Sequence, residues 1–334
     1  MSDGFQGARV LVTGARGFVG AHLCRVLLGA GARLVGLDVA PVGPGYLDTE
    51  GLAERVDVVS GSVSDECDVS RAFARGPFDF VFHLAAQPLL QRAQADPVAT
   101  LETNVRGTYM VLEACRRMSL EAPGLLRGVA VASSEGVYGQ QGSEPYAEDL
   151  PLLATTPYDA SKVCADVLAR SYAASFGVPV VVVRCTNLYG PGDTNASRIV
   201  PGTILRSLRG ERPLVRSDGT PERDYLYVAD AAEGYLAAGQ RASEEGVRGE
   251  AFNLGTGRTL SVLELAREVL VACGRADLEP EVQGAPTGRV DRQSVTTDKA
   301  ARVLGWQATT PLGVGLARTA AWYRDHLSGA QATE

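Results

Sequence analysis

The 334-residue chain has only three histidines, six cysteines and two tryptophans, and these scarcities exclude several kinds of protein. His22, His83 and His326 form no ligand set, so no metal is expected; His83, at a strand end, reads as structural. Cys24, Cys67, Cys115, Cys164, Cys185 and Cys273 are scattered, without the close pair that binds zinc or forms a redox couple, and read as reduced core residues. The N-terminus lacks a basic, apolar, small-residue leader. The longest apolar runs, such as Val178 to Val183, are far too short to span a bilayer. A cytoplasmic enzyme is expected. A formal charge of −7 and a pI near 5.2 leave no basic footprint, so neither nucleic acid nor an anionic membrane is an expected partner.

What the chain does have is glycine, 38 residues of it, within an ordinary globular composition of 45% hydrophobic residues and zero mean hydropathy. Such a chain buries a sizeable core in one large domain or two intimately packed ones. Apolar, β-branched runs at 9–13, 34–37, 56–59, 79–84, 128–133 and 179–184 predict strands, and the stretches between them carry helical patterning. This alternation predicts an α/β fold, a Rossmann-type doubly wound parallel sheet with its ligand across the carboxyl ends of the strands. After about residue 187 the alternation weakens into segments rich in Gly, Pro and charge. The expected division is therefore 1–187 for the dinucleotide-binding part and 188–334 for a smaller C-terminal substrate-binding lobe, interleaved with the first. Helices are predicted in that lobe at 261–273 and 312–326.

The first strand runs into Gly14-Ala-Arg-Gly17-Phe18-Val19-Gly20 and a helical pattern through His22, Leu23, Val26 and Leu27. Glycines between a strand and a helix let backbone N–H groups approach a pyrophosphate at the positive end of the helix. The second strand ends at Asp38, close to the offset at which a carboxylate accepts hydrogen bonds from the adenosine ribose and repels a 2′-phosphate. The predicted cofactor is NAD. Arg16, inside the loop, is a smaller argument for the phosphorylated dinucleotide. Val63 and Asp65 after the third strand, and Leu84, Ala85 and Ala86 after the fourth, complete the expected cofactor contacts.

Tyr158 and Lys162 lie four residues apart in TPYDASKVCAD, one above the other on a helix face, with Ser134 upstream in VASSEGVYG. An ammonium at Lys162 would stabilise a phenolate at Tyr158, making a proton shuttle suited to a nearby hydride acceptor.

TGARGFVG, HLAAQ, Asn104 to Thr108, VASSEGVYG, PYDASK, NLYGPGD and RDYLYV, in this order, resemble the extended short-chain dehydrogenase/reductases that act on nucleotide sugars. The AAQP and RIVP segments look particularly like the CDP-glucose 4,6-dehydratase branch. The resemblance implies that Tyr158 takes a proton from a sugar hydroxyl, usually at C4, while hydride passes to NAD and a 4-keto sugar forms. Ser134 would hydrogen-bond the same oxygen, and Lys162 would also hold the nicotinamide ribose. It further implies a nucleotide-diphosphate sugar as ligand, gripped by Gln87, Ser134, Asn187, Arg198, Arg223 and Arg292, with Arg289 a weaker candidate. Related enzymes pair through the helix after Asn104 and the helix carrying Tyr158. Here Met110, Val111, Leu112 and Ala114, and Val163, Ala165, Val167 and Leu168, outnumber one core-facing stripe, so a homodimer is expected.

Glu135 and Gly136 depart from the resemblance. A 4,6-dehydratase needs a base for the C5 proton and an acid for the C6 hydroxyl, and its two positions after the serine or threonine tend to carry Asp, then Glu or Lys. Here one carboxylate survives, a methylene longer, and the second group is gone. A 4-epimerase needs neither, so Gly136 favours C4 epimerisation. The 4,6-dehydratase, with Glu135 as its acid, stays in view because an epimerase has no need of that carboxylate. A decarboxylase of a sugar nucleotide uronate and a non-catalytic NAD-binding sensor are further alternatives.

Overall fold

The computed structural model describes residues 3–39, 45–141, 145–284 and 291–327. Arg289 lies outside them. Seven parallel strands build the main sheet: β1 (Arg9–Thr13), β2 (Arg33–Asp38), β3 (Val56–Ser60), β4 (Phe80–His83), β5 (Gly128–Ser134), β6 (Val180–Cys185) and β7 (Ala251–Leu254). Their order across the sheet is β7-β6-β5-β4-β1-β2-β3. The strand order reverses between β1 and β4, and a crevice opens there at the carboxyl ends.

Both faces of the sheet are covered, so its inner strands are apolar along most of their length, while the edge strand β3 keeps Asp57 and Ser60 exposed. Val10 and Val12 point into one buried cluster with Leu23 and Leu27 of α1 (Phe18–Gly29), while Leu11 points into the other. That second cluster is filled by α2 (Glu66–Phe73), α3 (Gly107–Glu121) and α4 (Pro157–Phe176). The helix Val228–Arg241 joins α1 on the first face.

Six of the seven strands coincide with the predicted runs. β7 was missed because Asn253 breaks its short apolar run and it lies beyond the point where the alternation weakens. It returns the chain to the main sheet by pairing with β6, Phe252 beside Val183. The rest of the later chain forms a small mixed sheet from Asn187–Tyr189, Glu222–Tyr227, Thr259–Ser261 and Arg292–Gln293. Helices Ile199–Leu208, Val262–Ala272 and Leu312–Leu327 pack with it, the last two where they were predicted.

The cysteines need correction. Cys24, Cys115 and Cys185 are buried, but Cys67 and Cys164 are exposed and Cys273 is half-buried; all six are free. Cys67 stands in the first turn of α2 and Cys164 on the outer side of α4, so neither packs under the sheet. Among the described residues no helix is long and apolar enough to cross a membrane.

Candidate active site

A cleft of about 1410 Å³ runs across the carboxyl ends of the strands. Gly14, Gly17, Phe18, Val19, Gly20, Asp38, Val63, Leu84, Ala85 and Ala86 line one end. Gly14 has φ of +72°, and a Cβ there would press on the Ala85 backbone. A Cβ on Gly20 would overlap the Gly14 carbonyl, so the loop can fold only with glycine at both positions. Gly17 stands at the N-cap of α1 without a capping side chain, which leaves the first amides of the helix for a ligand. This is a cradle of the kind a pyrophosphate requires, and the chain fits the dinucleotide it predicts.

Asp38 braces the loop from the end of β2. Its Oδ2 accepts from Arg16 N at 2.7 Å and its Oδ1 from Val39 N at 2.8 Å. Burial pushes its carboxyl up, and the amides of Arg16, Val39 and Gly17 pull it back. The Arg16 guanidinium lies 3.7 Å from Asp48, so a carboxylate already faces it. Asp65 is not in the cleft wall. It caps α2, accepting from Cys67 N at 2.8 Å and Asp68 N at 3.1 Å, while Gly61, Ser62 and Val63 line the cleft in its place.

Ser134, Glu135, Tyr158 and Lys162 line the middle of the cleft. β5 delivers Ser134 at its last residue, and α4 delivers Tyr158 and Lys162 from its first turns, begun by the Thr156 cap and Pro157. Burial pushes the Tyr158 hydroxyl up to about 12; Asp159 adds to the rise, and Arg198 and the Ser134 hydroxyl oppose it. Lys162 is buried and donates to the Ala132 carbonyl at 3.0 Å, its pKa pushed down to about 8 by desolvation. Lys162 stands one turn after Tyr158 on α4, and Arg198 is a further cation that favours the Tyr158 phenolate. Glu135 is buried, and its Oε1 accepts from Asn187 Nδ2 at 2.7 Å.

Asn187, Arg198 and Arg223 line the far end. Arg198 pairs with Asp193 at 3.0 Å and Arg223 with Asp291 at 2.7 Å. Two expected ligand contacts are corrected. The Gln87 amide is consumed by its own loop, bonding Leu89 and Thr100, and it forms no part of the cleft wall. Arg292 lies 3.4 Å from Glu222 and is not among the cleft-wall residues, while Gln293, the next residue on the same strand, lines the cleft. At the end of β6, Arg184 is fully buried against Asp166, and it is Cys185, Thr186 and Asn187 that reach the cleft.

His83 is structural, its nitrogens 2.7 Å from Thr13 Oγ1 and 3.1 Å from Thr108 Oγ1, with its pKa pushed down to about 3 by burial. Among the described residues, no three or more His, Cys, Asp or Glu side chains are grouped to hold a metal ion. Asp159, Tyr225, Tyr235 and Gln293 are wall residues that the sequence did not point to, while Ser133 and Thr186 stand at strand ends facing the cleft. Ser133 and Thr186 carry buried hydroxyls without a partner. Asp159 was legible only as the third residue of a helix start, Thr156-Pro-Tyr-Asp159, a pattern that looks structural.

The model of the NAD dependent epimerase/dehydratase family matches residues 10–255. The chain belongs to that family. It is 34% identical to the dTDP-glucose 4,6-dehydratase of Streptomyces griseus over 96% of this chain and 95% of that one. It is 32% identical to the UDP-glucose 4-epimerase of Mycolicibacterium smegmatis over 95% of this chain and 99% of that one. Among solved structures it resembles the UDP-glucose 4-epimerase of Thermus thermophilus in complex with NAD, with a TM-score of 0.82 and 30% identity over 96% of this chain and 100% of that one. The chain is thus an NAD-dependent enzyme of the nucleotide-sugar epimerase/dehydratase type, and the sensor alternative falls away.

Proposed function

We propose that the chain interconverts C4 epimers of a nucleotide-diphosphate sugar through a 4-keto intermediate. The observation that carries this reading is the convergence of Ser134, Tyr158 and Lys162 on the cleft that the glycine loop opens. Tyr158 acts as the phenolate, its charge held by the Lys162 ammonium one turn along α4, and takes the proton of the C4 hydroxyl, while Ser134 hydrogen-bonds the same oxygen. With a pKa near 8, Lys162 is still charged at neutral pH and supplies the cation for the nicotinamide ribose. NAD, when bound, supplies the acceptor for the C4 hydride and its return. Asn187, Arg198 and Arg223 face the diphosphate, where guanidinium forks match the oxygens. Gly136 leaves one carboxylate on the loop, which suits a reaction that moves no proton at C5 and breaks no bond at C6.

A second reading, 4,6-dehydration, is favoured by one observation: the Asp159 carboxylate stands beside Gly136, at the loop position after Glu135. Incubation with UDP-, dTDP- and CDP-hexoses separates the two. A C4 epimer that keeps its C6 oxygen supports epimerisation, a 4-keto-6-deoxy product moves the assignment to the dehydratase, and no product overturns both.

In this reading the enzyme works as a homodimer in the cytoplasm. Val167 on α4 and Leu120 on α3 are 54% and 67% exposed, and Met110, Ala114, Val163 and Leu168 are half-buried on the same two helices. A partner's matching helices would cover them. Light scattering giving twice the chain mass at micromolar concentration is the expected result.

A further inference from the structure

The sugar end of the cleft carries more negative charge than C4 chemistry requires. A Cβ built on Gly136 would overlap Asp159 Oδ1 and stand 3.5 Å from Ser134 Oγ. The Asp159 carboxylate thus fills, from the first turn of α4, the space a side chain at 136 would take. It is fixed there: Thr156 Oγ1 donates to Asp159 Oδ2 at 2.6 Å, and Asp159 N donates to Thr156 Oγ1 at 3.1 Å. The cap uses Oδ2 and leaves Oδ1 towards Gly136. Glu135 is fixed on the same wall by Asn187. Burial raises the hydroxyls of Tyr158 and Tyr225, and Asp159 adds to the first rise and Glu135 to the second.

Among the described residues no cation offsets the Asp159 carboxylate, whose side-chain partner is Thr156. Arg198 and Arg223 are matched by Asp193 and Asp291, and Lys162 is turned to the Ala132 carbonyl. Arg92 is exposed at the rim. A nucleotide sugar also brings its own diphosphate charge to the arginines.

We propose that Glu135 and Asp159 make this site select neutral hexoses bearing a C6 hydroxyl and reject hexuronates; this rests on the C4 chemistry proposed above. With O4 held between Ser134 and Tyr158, the C6 group hangs from the neighbouring carbon, within reach of the same wall. A hydroxyl there donates to a carboxylate. A uronate cannot donate, and it adds a third negative charge where solvent is partly excluded. The same selection serves an epimerase and a dehydratase, since the latter must have a C6 hydroxyl to release. It sets uronate decarboxylation aside.

The test compares wild type and Asp159→Asn on a UDP-hexose and the corresponding UDP-hexuronate, and on the dTDP and CDP pairs, with product followed by NMR and bound NAD by absorbance. The wild type should favour the hexose in kcat/KM by about a hundredfold or more, and Asp159→Asn should narrow that ratio about tenfold. Wild-type turnover of hexuronate within tenfold of hexose would overturn the inference while leaving C4 chemistry intact. An unchanged ratio in a folded, NAD-retaining Asp159→Asn would do the same. Should that variant fail to fold, Glu135→Gln must narrow the ratio, and its failure to do so counts against the proposal. No turnover of either sugar by NAD-loaded wild type removes the C4 chemistry and the inference with it.

Discussion

The two ends of the cleft recognise their ligands by different means. The cofactor end is shaped by backbone: Gly14 and Gly20 have no room for a Cβ, and the N-terminus of α1 offers its amides uncapped. The sugar end is shaped by side chains that β5, α4, the segment after β6 and the small mixed sheet bring from far apart in sequence. Backbone recognition writes itself into glycine spacing and tolerates little change. Side-chain recognition leaves the fold alone and changes one residue at a time, and this is where relatives with the same architecture carry epimerase and dehydratase names.

The largest effect should come from the sugar end. Tyr158→Phe keeps the ring and removes the proton acceptor, so turnover should fall by ~10² or more while NAD binding holds. Steady-state kinetics with a dinucleotide titration checks both halves, and near-normal turnover would remove Tyr158 as the base.

A smaller effect is expected at Asp38, where the cofactor end does use a side chain. Replacing it by Ala removes a charged acceptor for the ribose and two anchors of the glycine loop, so NAD affinity should drop by roughly tenfold or more. Discrimination against NADP should shrink with it, because the repelling carboxylate is gone. Equal wild-type affinities for NAD and NADP in calorimetry would contradict this.

The smallest effect sharpens the boundary of the cofactor site. Asp65→Ala deletes the cap of α2 and should cost about 1 kcal/mol of stability in denaturant unfolding. NAD affinity should not move. A loss of NAD affinity without a loss of stability would put Asp65 back at the cofactor.

The same contrast explains what could be read in the chain beforehand. The inner strands were legible because, buried on both faces, their central residues are apolar, the edge strand β3 by Val56, Val58 and Val59, and the glycine loop because sterics forbid other residues. β7 lacks such a signal because Asn253 interrupts it. Asp65 and Gln87 sit beside the right strands, yet their polar atoms are spent on a helix cap and on their own loop, which sequence order does not reveal. Arg292 and Gln293 alternate on one strand, and choosing between them requires knowing which face meets the cleft. The carboxylate of Asp159 reaches the space beside Gly136 only through the packing of α4 against β5, which sequence order does not reveal.

The central claim is that a 4-keto sugar forms and is returned as the C4 epimer, and turnover in deuterated water tests it most directly. The product of wild type on its preferred hexose should be the C4 epimer, with its C6 oxygen in place and no solvent deuterium at C5. Deuterium at C5 in a 4-keto-6-deoxy product would contradict it.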